Sequence, residues 1–450
     1  MKKSPTLSSK DFLENQVRYA LDYALSKGAT SAAAEVQDQN GLNINVRNLD
    51  VETLEHTRDR SFAITVYINQ RRGSASTGDL TRESIEQTVR AAVDIANYTS
   101  EDPCAGLPEK DLLCTKFEDL SLWHPWKISS EEAIEICKAA EKAALEGDSR
   151  IVNSEGSNLS TNVGRFVLGN TLGFCSGFDY SNHSLDTSVI AEDDSGMQVG
   201  FWYDMGVSPS QLASPESIGR EAAKRAAAML SAKNLSTREC SVIFDPYTAK
   251  SLIRLYISAV SGSQLYRNLS FLTNSLGTQV FPEFLSMKED PFVKEGYGSA
   301  PFDDEGVRPS KRFFVENGVV KGYFLSTYSA RKLGMKTTGN AGGPYNISLH
   351  AEKEHEEMTL EKLMERMGTG LLVTSLIGQG VNLTTGDYSR GAKGFWVENG
   401  KIAYPVDGIT VAGNLRNMFL NVEAIGQDIL ACDNYRTGSV LIKNLKIAGN

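Results

Sequence analysis

Ten glycines fall within the forty-six residues from Gly368 to Gly413, GTGLLVTSLIGQGVNLTTGDYSRGAKGFWVENGKIAYPVDGITVAG, and short β-rich runs separate them. Glycine at this density supplies positive φ at turns and lets backbones approach closely. Leu371 to Ile377 and Phe395 to Val397 supply sheet-forming apolar side chains between the turns. A tight β architecture is therefore expected. The spacing does not suit a phosphate cradle: Gly378-Gln379-Gly380 is followed by Val381, Asn382 and Leu383, so the third glycine of a dinucleotide fingerprint is missing. No Lys-Ser or Lys-Thr pair follows at P-loop spacing.

At 450 residues the chain exceeds one ordinary core, and two or three domains are expected. A net charge of -10 argues against a sequence-independent nucleic-acid surface, which needs a basic excess. No apolar run reaches the length of a membrane span, and MKKSPTLSSK stays polar where a signal peptide turns hydrophobic, so a cytoplasmic protein is expected. The six cysteines, Cys104, Cys114, Cys137, Cys175, Cys240 and Cys432, form no CxxC pair and read as reduced thiols.

Periodicity predicts a helix over Ser9 to Ser26, with Leu13, Val17, Ala20, Leu21 and Ala24 on one stripe, then strands carrying Leu42, Ile44 and Val46 after Asn40-Gly41, and Phe62, Ile64, Val66 and Ile68. A second helix is expected over Arg82 to Tyr98. The pattern then restarts: Ser129 and Glu132 read as a capping box, polar strands occupy about 150 to 207, and a helix opens at Ser214-Pro215. Beyond lie a strand at Val242 to Phe244, a helix over Tyr247 to Val260, hairpins turning at Asn317-Gly318 and Asn399-Gly400, a helix at Thr359 to Met367, and a strand at Ser439 to Ile442. The expected fold class is α+β. Residues 1–235 form an N-terminal domain of duplicated helix/antiparallel-sheet/helix units, about 1–100 and 128–235, joined by a linker at 101–127. Residues 236–450 form a mostly antiparallel β C-terminal domain with few helices.

The five histidines, His56, His124, His183, His350 and His355, make no zincin helix. Only His355-Glu356 begins like one, and Thr359 and Leu360 stand where a second imidazole is needed. His124, between Trp123 and Trp126, reads as part of a packed connection. Cys104 is a loop thiol, and there is no Gly-x-Ser-x-Gly elbow. Three polar clusters set in turns are the substrate-contact candidates. Asp303, Asp304 and Glu305 bring carboxylates beside a glycine turn, with oxygens suited to a metal. Asn340, Gly342 and Gly343 offer backbone N–H groups to a peptide or anion. Asp387, Tyr388, Ser389 and Arg390 offer hydrogen-bonding side chains on an exposed turn.

The segments PFDDEGV, STYSARKLGMKTTGNAGG, TGDYSRGAKGFWVENG and ITVAGNL, with YTSEDPCAG in the first half, resemble the TldD/PmbA family, and closely its PmbA/TldE branch. The resemblance covers nearly the whole chain. It implies membership of a cytoplasmic peptidase system, also described as a modulator of DNA gyrase, that removes leaders from modified peptides or degrades an antitoxin. In that family the TldD branch holds its catalytic metal with a His-Glu-x-x-x-His helix and a later cysteine. The helix here similar to that one lies in DPYTAKSLIRLYISAVSG and has no histidine, while Cys432 stands in a different context, ACDNYRTGS. The resemblance thus implies a non-catalytic subunit with no catalytic residue and no metal of its own, and zinc in a TldD-type catalytic partner. The implied ligands are unfolded or extended peptides, with a homodimer when the chain is alone and neither nucleic acid nor membrane as partner. Two other readings stay open: a regulatory binding protein acting on gyrase without proteolysis, and an autonomous non-metal hydrolase using Cys104 or a serine.

Overall fold

A computed structural model describes residues 7–352 and 359–449; the His355-Glu356 pair lies outside the described residues. The first half is helix, three strands, helix, made twice: α1 (Lys10–Ser26), β1 (Ser31–Arg47), β2 (Asp50–Ile68), β3 (Arg71–Thr77), α2 (Arg82–Tyr98), then α3 (Ser130–Leu145), β4 (Ile151–Asn170), β5 (Cys175–Asp193), β6 (Gly196–Gly206) and α4 (Pro215–Ala228). The strands form one antiparallel sheet of order β3-β2-β1-β4-β5-β6, so the two units join through β1 and β4. Caps set the helix starts. The Ser129 hydroxyl accepts from the Glu132 N–H while Glu132 reaches back to the Ser129 N–H, the reciprocal box read from the sequence.

All four helices cover one face of this sheet. Leu13, Val17, Ala20 and Ala24 pack with Ala32, Ala34, Val36 and Phe62, and Cys137 and Ala140 pack with Ile44, Leu159 and Leu185. Each large aliphatic side chain so buried contributes about 1.5–3 kcal/mol. The outermost strand of each unit meets its second helix at a glycine. A Cβ on Gly73 would lie 2.0 Å from the Ala92 carbonyl, and one on Gly200 would lie 2.2 Å from the Ala222 carbonyl. By the two-residue strand period the opposite face carries Gln37, Gln39, Asn43, Asn45, Asn158, Ser160 and Asn162. Their side chains bond one another: Ser160 Oγ donates to Asn43 Oδ1 at 2.7 Å and Asn158 Nδ2 to Asp186 Oδ2 at 3.0 Å.

Asn40-Gly41 does not open a strand. β1 runs straight through it, because Gly41 lets the Asn162 and Thr57 side chains come within 2.2 and 2.6 Å of its missing Cβ. A dipeptide that reads as a break is here a point of close cross-strand packing.

The second half comprises β7 (Arg238–Phe244), α5 (Pro246–Ala259), α6 (Gly262–Tyr266), β8 (Leu285–Asp290), β9 (Arg312–Glu316), β10 (Val319–Val320), α7 (Thr327–Lys332), β11 (Asn346–Ala351), β12 (Gly370–Ile377), β13 (Val381–Asn382), β14 (Asp387–Glu398), β15 (Lys401–Asn414), β16 (Val422–Ile425), β17 (Tyr435–Arg436) and β18 (Val440–Ala448). Helices Leu360–Met367 and Leu415–Leu420 lie between strands. The fold is α+β, as expected. Strands β12, β7, β18, β15 and β14 close on themselves, since β14 pairs with β12 as well as with β15. A second sheet runs β10-β9-β8-β11-β17. Both Asn-Gly hairpins take positive φ at the two turn residues, 49° and 74° at Asn317-Gly318 and 52° and 76° at Asn399-Gly400.

Two further expectations need correction. The last strand extends from Val440 to Ala448, beyond Ser439 to Ile442, because Leu445 and Ile447 alternate inward after an irregularity at Asn444, where φ is 59°. Asp387 to Arg390 is not a turn. The turn ends at Gly386, with φ 82°, and β14 begins at Asp387. Among the described residues no helix is long and apolar enough to cross a membrane.

Candidate functional site

The structure gathers six of the ten candidates and separates the other four. Asp303, Asp304 and Glu305 stand in the loop before β9, and Asn340, Gly342 and Gly343 in the loop before β11; the two loops pack together. Asp303 is buried. Its Oδ1 accepts from the Glu305 and Val307 N–H groups, both at 2.9 Å, and its Oδ2 from the Ala341 N–H at 3.0 Å. Oδ1 thus closes its own loop and Oδ2 ties that loop to the other, so both oxygens are engaged by backbone N–H groups. Gly342 has φ 97°, a conformation that favours glycine, and it lies against the Asp304 carboxyl. Glu305 Oε2 accepts from the Thr327 N–H at the start of α7.

Asn340 is held just as firmly. Its Nδ2 donates to Glu289 Oε1 at 2.8 Å, its Oδ1 accepts from Arg312 Nη2 at 3.0 Å, and Glu289 and Arg312 pair at 2.9 Å. The segment 101–127 lies against the same region. The Tyr328 hydroxyl donates to Asp102 at 2.7 Å, Arg331 pairs with Glu109 at 3.0 Å and Arg308 with Glu118 at 2.7 Å.

These loops face the amide-bearing side of the six-stranded sheet across a cavity of about 470 Å³. Glu35, Gln37, Phe166, Tyr180, Asp304 and Gly343 are among its walls. Carboxyls crowd there. Burial and the Asp304 charge raise the Glu35 carboxyl, and burial and the Glu305 charge raise Asp304. Asp303 is pushed up to about 7 by burial and by Glu305, against the pull of its three amide donors.

A carboxyl raised in the folded state costs stability once ionised. The Asp303 contribution is therefore fully kept below its ordinary value of 3.8 and is lost as the pH rises towards about 7. Melting temperature measured across that window should fall for the native chain and fall less for Asp303→Asn. Equal slopes would assign the effect to other groups.

Asp387, Tyr388, Ser389 and Arg390 sit on β14 in the closed sheet. Tyr388 points into the core, Asp387 accepts from Thr385 Oγ1 at 2.6 Å, and Arg390 Nε donates to the Gly378 carbonyl at 3.0 Å. The alternation of the strand sends Tyr388 inward, which a turn would not.

A second constellation was not foreseen in full. Helix α5 starts at Asp245, whose Oδ1 accepts from the Thr248 N–H at 2.8 Å. One turn apart on α5, Lys250 and Arg254 both reach the loop that carries Cys432. Lys250 is only 2% exposed. Its Nζ lies 3.1 Å from Asp433 Oδ1 and 3.7 Å from Cys432 Sγ, while Arg254 pairs with Asp433 Oδ2 at 3.3 Å. The available signal was a pair of cations four apart on a helix with an apolar stripe, together with an aspartate next to a buried cysteine. Neither shows its partner in sequence. Cys432 and Asp433 also line a cavity of about 470 Å³ with Tyr203, Asp204, Glu295 and Arg436.

This arrangement does not fit a metal. An ammonium beside the thiol repels a divalent cation and offers it no lone pair. Among the described residues no three His, Cys, Asp or Glu side chains are grouped to hold an ion. His183 is a packed histidine: it is buried, accepts from Thr161 Oγ1 at 2.8 Å and donates from Nε2 to the His124 carbonyl at 2.9 Å.

Comparison with known proteins gives the family of the chain. Residues 32–96, 123–230 and 237–449 match the models of the PmbA/TldA metallopeptidase domain 1, central domain and C-terminal domain. The chain is 43% identical over 442 residues to the metalloprotease PmbA of Escherichia coli, covering 98% of this chain and 97% of that one. A solved structure from Bacteroides thetaiotaomicron, described as a candidate modulator of DNA gyrase, superposes with a TM-score of 0.90 at 26% identity, over 97% of this chain and 99% of that one. TldE from Thermococcus kodakarensis shares the fold, with a TM-score of 0.83 at 20% identity, over 97% of this chain and all of that one. Matched by three consecutive domain models and by a relative of nearly equal length, the chain belongs to the PmbA/TldD metallopeptidase family.

Proposed function

We propose that this chain is the non-catalytic subunit of a cytoplasmic heteromeric metallopeptidase that acts on unfolded or extended peptides. A TldD-type partner supplies the zinc, the activated water and the polarisation of the scissile carbonyl. This chain closes part of the chamber and helps to hold the peptide. The observation that carries the reading is the face of α5 that meets Cys432. The helix similar to the metal-binding one of a catalytic subunit has no histidine here, and its Lys250 and Arg254 are both bound to Asp433. The amide-bearing face of the six-stranded sheet suits the other half of the role. Asn, Gln and Ser side chains give a backbone both donors and acceptors and present little apolar surface on which an unfolded chain would stick.

The test is metal analysis and peptide cleavage with the purified chain alone, then mixed with a TldD-type subunit. Alone, it should carry sub-stoichiometric zinc and leave an unfolded peptide intact. The mixture should cleave, and a chelator should stop it. Tight zinc with chelator-sensitive cleavage by the lone chain would sink the proposal. The name given to the Bacteroides neighbour motivates a second reading, contact-only regulation of gyrase. It predicts direct association with gyrase and no cleavage in either preparation.

A further inference from the structure

Lys250 and Cys432 are 182 positions apart in sequence, yet the Lys250 Nζ is fixed 3.7 Å from the Cys432 Sγ. Two anchors hold it there: the amine is buried and tied to Asp433 Oδ1 at 3.1 Å, and the thiol sits where the 428–437 loop meets α5. Cys432 also forms part of the wall of the cavity beside Tyr203 and Glu295, which gives a small oxidant a route to the sulfur. A nucleophilic nitrogen, a sulfur it can attack, an adjacent carboxylate that can take a proton and a path for the oxidant thus meet at one point. The family resemblance gives this group no such role.

We propose that Lys250 and Cys432 form an oxidative cross-link, a sulfenamide, that locks α5 to the 428–437 loop when the protein meets hydrogen peroxide. The thiol first attacks peroxide: Cys–SH and H2O2 give Cys–SOH and water. The Asp433 carboxylate then takes a proton from the Lys250 ammonium, and the freed amine attacks the sulfenic sulfur. The S–N bond forms as the S–O bond breaks, and hydroxide leaves with the second amine proton as water. Two equivalents of an added thiol reverse the link, returning Cys–SH and Lys–NH2 with one disulfide of the added thiol. Burial pushes the Cys432 thiol up, while the Lys250 ammonium and the Tyr203 hydroxyl pull it back, so the first step is slow and requires sustained peroxide. The bond would rigidify one wall of the Tyr203–Glu295 cavity and turn a reversible contact into a covalent one.

The experiment is tryptic mapping of the full chain after peroxide treatment without added thiol. Cleavage after Lys250 should be lost, and the segment holding Lys250 should appear joined to the segment holding Cys432. The joined mass should be about 2 Da below the sum of the two, and dithiothreitol should separate them. Cys240 lies on the same tryptic segment as Lys250, so a Cys240–Cys432 disulfide would mimic the mass. The linked pair should therefore survive Cys240→Ser and vanish in Cys432→Ser. Intact cleavage after Lys250 would overturn the proposal, whether Cys432 is then recovered as a thiol, as a sulfinic acid or in a disulfide.

Discussion

Arg312→Met should lower the unfolding free energy by about 3–5 kcal/mol, the range for removing one partner of a buried ion pair. Glu289 on β8 and Arg312 on β9 are cross-strand partners, and the Glu289 side chain is only 1% exposed. The native carboxylate is satisfied from three sides: Arg312 Nε at 2.9 Å, Asn340 Nδ2 at 2.8 Å and the Tyr345 N–H at 3.1 Å. Methionine keeps most of the apolar stem but removes the only one of these donors that carries charge. The carboxylate is then left buried with two neutral donors. Arg312 also lies over the Phe324 ring at 5.0 Å, a contact methionine replaces in part. Urea unfolding of the single variants and of Glu289→Gln with Arg312→Met decides the matter. The double variant should be more stable than Arg312→Met alone, because it removes the orphaned charge. A loss below about 1 kcal/mol in the single variant would mean that the pair behaves as an exposed one. Because Asn340 bonds both partners, the same variant should loosen the Gly342-Gly343 loop at the cavity.

Gly200→Val should cost about 3 kcal/mol, the upper part of the range for overpacking. The Cβ would stand 2.2 Å from the Ala222 carbonyl oxygen and 2.3 Å from the Ala226 nitrogen. Both neighbours are helix backbone, so no side-chain rotation relieves the clash; α4 must lift off β6. Gly73→Val should behave alike, since its Cβ would stand 2.0 Å from the Ala92 carbonyl and 2.5 Å from the Ala96 nitrogen of α2. Gly391→Ala is the control. Its nearest neighbour is the Ile377 Cβ at 3.5 Å, and the change should stay within about 0.5 kcal/mol. Thermal melts of the three variants separate the cases, and a melting temperature for Gly200→Val equal to that of the control would refute the close-packing account. The matched pair of glycines also bears on the fold: each helix–strands–helix unit closes its outer strand on its second helix in the same way.

Much of the α+β pattern was legible because it is local. The Leu13–Val17–Ala20–Leu21–Ala24 stripe, the Ser129–Glu132 box and the Asn317-Gly318 and Asn399-Gly400 turns each depend on residues within a few positions of one another. Two of the misreadings came at glycines, whose meaning depends on their neighbours, and the third from the irregularity at Asn444 that hides the end of the last strand. Gly41 looked like a break and is a close contact with Asn162, and Asp387 to Arg390 looked like an exposed turn but follow one that ends at Gly386. The two turns around Asp303 and Asn340 were recognisable as polar turn chemistry. That they meet each other and face Glu35 was not, since the partners lie on different strands and loops.

By itself the sequence determined the class of elements, the family and the absence of histidine from the helix that becomes α5, because composition and period are properties of short stretches of chain. Only the tertiary structure decided what occupies the space beside Cys432. Lys250, Arg254 and Asp433 reach one another only after the barrel strands set the register of α5 against the 428–437 loop. A charge becomes a fixed internal cation by being buried beside its partner, and burial is a property of the packed chain rather than of any residue in it.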